Sequence, residues 1–388
     1  MYKILLSLSV SFMLISTDIF AQKTTIKQVE WIVAAKLQKP DGSVSIGFAG
    51  PINATHKDVL IVAGGANFPD KMPWEGGAKY YSKEIHILQK TGNHYSWNNT
   101  QSTLPEPIAY CGNTVTEQGL VYAGGENEKG LSRKTYLLNW NAASNEVEIK
   151  NLPDLPLAVT NMALTHIGNT VYAVGGDEKS TSSNAFASLN LDDKAPEWKR
   201  LPNLPIALAN AVVITQKQVG TLKIYVIGGR TKNASGISEL HNTVYMYNPL
   251  NKTWATCADI SDGKQTTNYS AGAGVPIGKN QILLLGGDNG ETFHKIETYI
   301  SQIAKSTNEA EKLKLTAEKN ALSIHHKGFY KGMLLYNTDT NKWTKIGELP
   351  FHAQVTTTAR MWGNKIVLSN GEIKPGVRTP NIMLGSIK

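Results

Sequence analysis

LIVAGG, residues 60–65, is a short apolar run closed by two glycines, and the chain uses that shape six times. LVYAGG ends at Gly124-Gly125, VYAVGG at Gly175-Gly176, IYVIGG at Gly228-Gly229 and ILLLGG at Gly286-Gly287; a degraded copy, IVLSNG, ends at Asn370-Gly371. An apolar, β-branched run bounded by glycine reads as a buried strand followed by a tight change of direction. One such strand cannot cover both of its faces alone. Recurrence at intervals mostly between fifty and sixty residues therefore marks one supersecondary unit packed against copies of itself.

Downstream of most glycine pairs comes an aromatic-bearing strand, as in YMYNP at 245–249. A tryptophan follows (Trp97, Trp140, Trp198, Trp254, Trp343), then a Leu-Pro that opens the next unit (Leu104-Pro105, Leu155-Pro156, Leu204-Pro205, Leu349-Pro350). A first strand, a strand ending in Gly-Gly, a strand with tyrosine and a strand with tryptophan make one four-stranded blade, which resembles the kelch repeat. Six units predict an all-β, six-bladed β-propeller, whose radial repetition leaves only short sheet edges. A β-sandwich gives no reason for six recurrences. VEWIV at 29–33 matches the tryptophan strand of a blade with nothing ahead of it, whereas 357–362, 365–369 and 382–387 supply three strands without a fourth. The N-terminal strand is therefore expected to complete the C-terminal blade and close the ring.

Lys3 precedes an apolar stretch, 4–16, too short to span a bilayer, and Ala21 is a small residue just before Gln22. These features predict a secretory signal peptide over 1–21, a periplasmic protein without membrane insertion, and a propeller over 22–388. Residues 294–323 contain no Pro or Gly, and Ile296, Tyr299, Ile300 and Ile303 fall at helical spacing. A helical insertion over 294–326 is expected to leave the connection between the second and third strands of its blade, as a lid or as a solvated decoration. Cys111 and Cys257 are expected to stay two free, buried thiols, although an oxidising compartment permits a disulfide. The net charge of +8 is spread along the chain without a basic, aromatic-interleaved tract. That excludes nucleic acid as the expected partner and suits a small anionic molecule. The nine histidines show no ligand spacing, and no phosphate-cradling loop or G-x-S-x-G elbow occurs, so no metal or cofactor is expected. The expected assembly is a monomer or homodimer.

In an up-and-down blade the loop between strands two and three opens at the same end as the link between blades. The residues after each glycine pair then gather on one rim: Asn67 and Phe68, Glu126, Asp177, Arg230, Asp288 and Glu372. The links at 107–110, 156–161, 206–210, 265–269 and 351–356, the last with His352, join them there. Function in such folds sits in rim loops over the channel. NGEIKPGVRT, 370–379, belongs to this rim, a hairpin turned by Pro375-Gly376 with Glu372 at one shoulder and Arg378 at the other. A cross-strand ion pair that merely closes the hairpin is the alternative to a catalytic pair.

With GFAG at 47–50, LIVAGGANFP at 60–69, YAGGE at 122–126 and above all NGEIKPGVRT, the chain resembles the N-acetylneuraminate epimerases, periplasmic sialic acid mutarotases built as six-bladed kelch propellers. The resemblance covers the whole mature chain in rotated order. The unit around 162–176 comes first in the family's best-known form, and the GFAG and GGANFP units come late, so this chain looks like a cyclically permuted branch. Links that carry Arg or His in that form read ALANAV (207–212) and SAGAGV (270–275) here.

The resemblance implies anomer exchange of N-acetylneuraminate, with Glu372 and Arg378 as the catalytic pair. The rim adds Asn67, Phe68, Glu126, Arg230 and His352 as contacts to the sugar. A carboxylate such as Glu372 suits the base that takes the anomeric proton. Arg378 stays protonated at any workable pH, so it suits a clamp on the substrate carboxylate or a stabiliser of developing oxyanion charge. Water, Glu126 and His352 are the candidates for proton donor. Two other readings stay open: a non-catalytic propeller that binds a glycan or protein, and a mutarotase for another sugar.

Overall fold

The computed structural model describes residues 26–56, 58–98 and 100–388, and the signal peptide expected over 1–21 lies outside the described residues. Six four-stranded antiparallel sheets stand around a central channel. Blade 1 runs through Ile52–His56, Val59–Ala63, Ile85–Thr91 and His94–Asn98. Blades 2 to 5 repeat that order over 112–152, 163–200, 212–256 and 273–348. Blade 6 takes Ala359–Trp362, Lys365–Ser369 and Asn381–Ile387 from the C-terminal end and Val29–Lys36 from the N-terminal end. Trp31 lies opposite Gly385 and Val33 opposite Met383, so the ring closes as expected. The first strands touch one another in cyclic order, blade 6 against blade 1 included.

The glycine pairs have a steric cause. Gly228 takes φ 60° and Gly229 φ 99°, in the left-handed region that only glycine enters freely. A Cβ on Gly228 would meet the carbonyl oxygen of Tyr269, in the link to the next blade, while Gly229 N–H donates to that same oxygen at 2.8 Å. The pair thus lets neighbouring blades approach backbone to backbone. Asn370 keeps this geometry at φ 59°, since asparagine is among the few other residues that tolerate it, and its Oδ1 accepts from Phe48 N–H at 3.3 Å. Gly228→Ala is expected to destabilise the fold by more than about 2 kcal/mol, read as a lower urea midpoint. An unchanged midpoint would mean the blades do not need this close approach.

The outer strands are tied similarly. Trp97, Trp198, Trp254 and Trp343 each donate Nε1–H to a backbone carbonyl of another unit, at 2.8–3.0 Å. Trp140 departs from the expected pattern. It sits on the third strand of blade 2, Thr135–Asn141, opposite Val147 of the fourth strand, because that strand packs with aliphatic residues instead. Cys111 and Cys257 are both free. Burial pushes the Cys111 thiol up to about 12, which makes it inert.

Where each link enters its blade, one residue takes φ between 52° and 61°: Gly50, Tyr110, Asn161, Asn210, Ala271 and Thr356. Their backbones form a closed collar. Each N–H donates to the carbonyl of the equivalent residue in the preceding blade, at 2.7–2.9 Å, and Gly50 closes the circle onto Thr356. Tyr, Ala and Thr hold this conformation at a cost of about 1–2 kcal/mol each, offset by the ring of hydrogen bonds. The collar fixes the radius of the channel and the height of everything above it.

Candidate active site

Immediately before each collar residue the link pairs with the residue that follows the glycine pair. The six bridges are Ala49 with Ala66, Ala109 with Glu126, Thr160 with Asp177, Ala209 with Arg230, Ser270 with Asp288 and Val355 with Glu372. Four carboxylates and one guanidinium are thereby set at one level around the mouth. In blade 1 the equivalent position is Ala66; Asn67 lies one further on, buried, with Nδ2 donating to Gly47 O at 3.0 Å.

Three of the four acids are held by cations. Arg230 Nη2 meets Asp177 Oδ2 at 2.5 Å, and Asp177 also accepts from Asn161 and Ser182, so Arg230 is committed within the protein. Glu126 accepts from Lys79 Nζ at 3.2 Å and Tyr81 Oη at 2.8 Å. Burial, reinforced by that bond to Glu126, pushes the Tyr81 hydroxyl up to about 12. Lys79 lies over the rings of Tyr81 and Tyr110 at 5.5 and 5.2 Å, a cationic cluster on a loop the repeat pattern does not mark.

Glu372 and Arg378 face each other across a two-stranded hairpin, Glu372–Lys374 and Val377–Arg378. Arg378 Nη1 reaches Glu372 Oε1 at 2.9 Å, and Gly376 N–H donates to the same oxygen at 2.6 Å. Arg378 also donates Nε–H to Ala66 O at 3.4 Å and lies over the Phe68 ring at 5.0 Å. Its side chain is 4% exposed and that of Glu372 is 17% exposed. Both donors to Glu372 converge on Oε1. Oε2 has no protein donor among the described residues, nor has Arg378 Nη2 an acceptor, so each partner keeps one edge for a ligand.

Asp288 is the rim acid without a cation among the described residues. Its Oδ1 accepts from Gly290 N–H at 2.8 Å. Burial raises its pKa against that bond, and the charges of Glu372 and Glu297 raise it further. Asp288 lines a cavity of about 600 Å³ shared with His326 and Tyr330. His326 Nδ1 accepts from Gly328 N–H at 3.0 Å, which leaves Nε2 to carry the ring proton. Burial lowers the His326 pKa, opposed by Glu372 and assisted by Lys374. His352 is exposed on the same rim, beside Gly328.

Two helices, α1 (Glu291–Lys305) and α2 (Glu309–Ile324), roof this side of the mouth. Glu297 of α1 accepts from Ser238 N–H at 2.6 Å and Ser238 Oγ at 2.9 Å, which fixes the helix to blade 4. Asn320 of α2 donates to Trp74 O at 3.4 Å, in the blade 1 loop that also packs Pro73 and Trp74 against Gly376. The insertion leaves blade 5, so its contacts with blades 4 and 1 carry it over blade 6 and the Glu372 hairpin. Among the described residues no group of His, Cys, Asp and Glu is arranged to hold a metal ion, and no helix is long and apolar enough to cross a membrane.

Comparison with known proteins bears on this geometry. Residues 152–388 match the model of a family described as N-acetylneuraminate epimerase. Among curated proteins, the N-acetylneuraminate epimerase of Haemophilus influenzae (strain PittEE) is 31% identical over 230 residues, covering 58% of this chain and 57% of that protein. That of Pasteurella multocida (strain Pm70) is 30% identical over 236 residues, covering 61% and 58%. That of Salmonella typhimurium (strain LT2) is 28% identical, covering 59% and 56%. The chain thus spans a little over half the length of the curated relatives it matches. A solved structure titled "Structure of YjhT" superposes with a TM-score of 0.58 over 87% of this chain and 94% of its own, at 15% identity, a likeness of fold.

Proposed function

The chain belongs to the N-acetylneuraminate epimerase family, and on that premise we propose that it exchanges the α and β anomers of N-acetylneuraminate at the rim of blade 6. Reaction in the periplasm follows from the leader read over 1–21. The observation that carries the proposal is the division of labour within Glu372: Oε1 is anchored by Arg378 and Gly376, while Oε2 keeps its lone pairs. Gly376 and Arg378 hold the carboxylate through one oxygen, so the other stays available as a base beside the channel mouth.

Glu372 Oε2 takes the proton of the C2 hydroxyl. C2 becomes a carbonyl, its bond to the ring oxygen breaks, and that oxygen takes a proton from a donor on the other side. After rotation about the C2–C3 bond the carbonyl presents its other face and the same groups run the steps in reverse, so no net proton is consumed. Asp288 is the donor in this reading, because burial and the charges of Glu372 and Glu297 raise its pKa and favour its protonated form. Arg378 Nη2, with Lys79 nearby on the rim, receives the substrate carboxylate. Asn67 and Arg230 act as scaffold, through Gly47 and Asp177. Phe68 supports the Arg378 guanidinium from below, and Glu126 and His352 border the sugar.

The decisive measurement is NMR of a freshly dissolved single anomer with and without the protein. Acceleration for sialic acid supports the proposal. Acceleration only for neutral sugars selects another mutarotase, and binding without acceleration selects a lectin-like propeller. Arg378→Ala is expected to raise KM for sialic acid about 10–100-fold, the worth of a charge-assisted hydrogen bond. A sugar lacking the carboxylate should show little change. Equal losses for both would remove Arg378 from carboxylate recognition.

A further inference from the structure

The channel at and below the collar is lined by the collar residues and the first strands of blades 2 to 6 and holds about 110 Å³, room for a small ion with water. Arg360, on the first strand of blade 6, reaches across it. Its Nε donates to Asn53 O of blade 1 at 3.0 Å, and its Nη2 to both Asn113 O and Asn113 Oδ1 of blade 2 at 2.6 Å. These partners satisfy hydrogens and bring no negative charge. No carboxylate lines the cavity, and Arg360 has no ion pair among the described residues. Its Nη1 has no acceptor there either.

Two neighbours point the same way. Thr358, two residues earlier and lining the same space, has a buried hydroxyl without a hydrogen-bond partner. His166 bonds Thr114 through Nδ1 and is kept neutral by burial and then by the charge of Arg360, so it supplies no compensation. Burial presses the guanidinium down to about 10, which still leaves it charged at neutral pH. A charge partly withdrawn from water without a counter-charge is unfavourable, whereas the rim arginines, Arg230 and Arg378, both have carboxylate partners.

We propose that the channel below the collar binds a small monovalent inorganic anion of the halide class, held between Arg360 Nη1 and the Thr358 hydroxyl. This site is separate from the rim and does not depend on which sugar, if any, the rim takes. The ion neutralises the channel axis and locks blades 6, 1 and 2 around one centre.

The test uses the whole protein, exchanged into sodium methanesulfonate, with chloride titrated in at constant ionic strength. A ligand that binds only the folded state raises Tm by mass action, so a saturable rise of a few degrees is expected. In Arg360→Met the chloride dependence should vanish. A crystal of the unaltered protein in sodium bromide serves if that variant does not fold, with an anomalous peak expected within hydrogen-bond distance of Nη1. An equal chloride response in Arg360→Met, or a fully bromide-exchanged crystal without a peak in the channel, overturns the proposal.

Discussion

Glu372→Gln is expected to slow anomer exchange about 10²–10⁴-fold, the usual worth of a positioned general base, with KM within about threefold of the unaltered protein. Glutamine keeps an oxygen for Gly376 N–H and Arg378 Nη1, the two donors that hold the side chain in the hairpin. It loses the second basic oxygen. The change also removes the counter-charge of a guanidinium that is 4% exposed, so a stability loss of about 1–3 kcal/mol accompanies it. Rates must therefore be compared at equal folded fraction, set by the urea midpoint of each protein. Two outcomes separate the readings: a rate loss at full folding assigns the base to Glu372. A stability loss with unaltered exchange returns the pair to closing a hairpin.

Much of the scaffold was legible because its signals are local. Gly-Gly at the end of an apolar run is demanded by two successive positive φ angles and by a carbonyl that leaves no space for Cβ, and any copy of the unit must repeat it. Closure by Val29–Lys36 was legible because three strands without a fourth and a fourth without three leave one arrangement. The collar was not, since Tyr110, Ala271 and Thr356 carry no sequence mark of a left-handed backbone; closure of the ring imposes it. Side-chain pairing on the rim was legible only where both partners share a hairpin, as Glu372 and Arg378 do. The pairing of Arg230 with Asp177 was not legible, since Asp177 lies 53 residues away on the preceding blade. Lys79 sits in a loop outside the repeat. Asp288 stands apart only after the cations of Glu126, Asp177 and Glu372 have been assigned.

That difference sets the second large effect. Asp288→Asn is expected to slow exchange about 10²-fold or more on the acidic side of the aspartate's raised pKa, within the range for loss of a general acid. Asparagine keeps an acceptor for Gly290 N–H, so the turn into α1 stays capped. The groups that face Asp288 are Gly290 N–H, Glu372 from blade 6 and Glu297 from α1, with Glu291, His325, His326 and Lys327 around the shared cavity. Burial and the two carboxylates raise its pKa, so the donor stays protonated to higher pH than an ordinary aspartate. Exchange in the unaltered protein should fall as pH rises through that raised value, and the variant should lack this limb. Stability runs the same way: the folded state binds the proton more tightly than the unfolded chain, so its contribution is present at low pH and is lost as pH rises through the folded pKa. Asp288→Asn removes a carboxylate that has no cation, and its urea midpoint at pH 8 should match or exceed that of the unaltered protein. Lost activity with retained stability identifies a proton donor. Retained activity with the alkaline limb intact would leave Asp288 as a turn cap and pass the donor role to His326, whose Nε2 proton lines the same cavity.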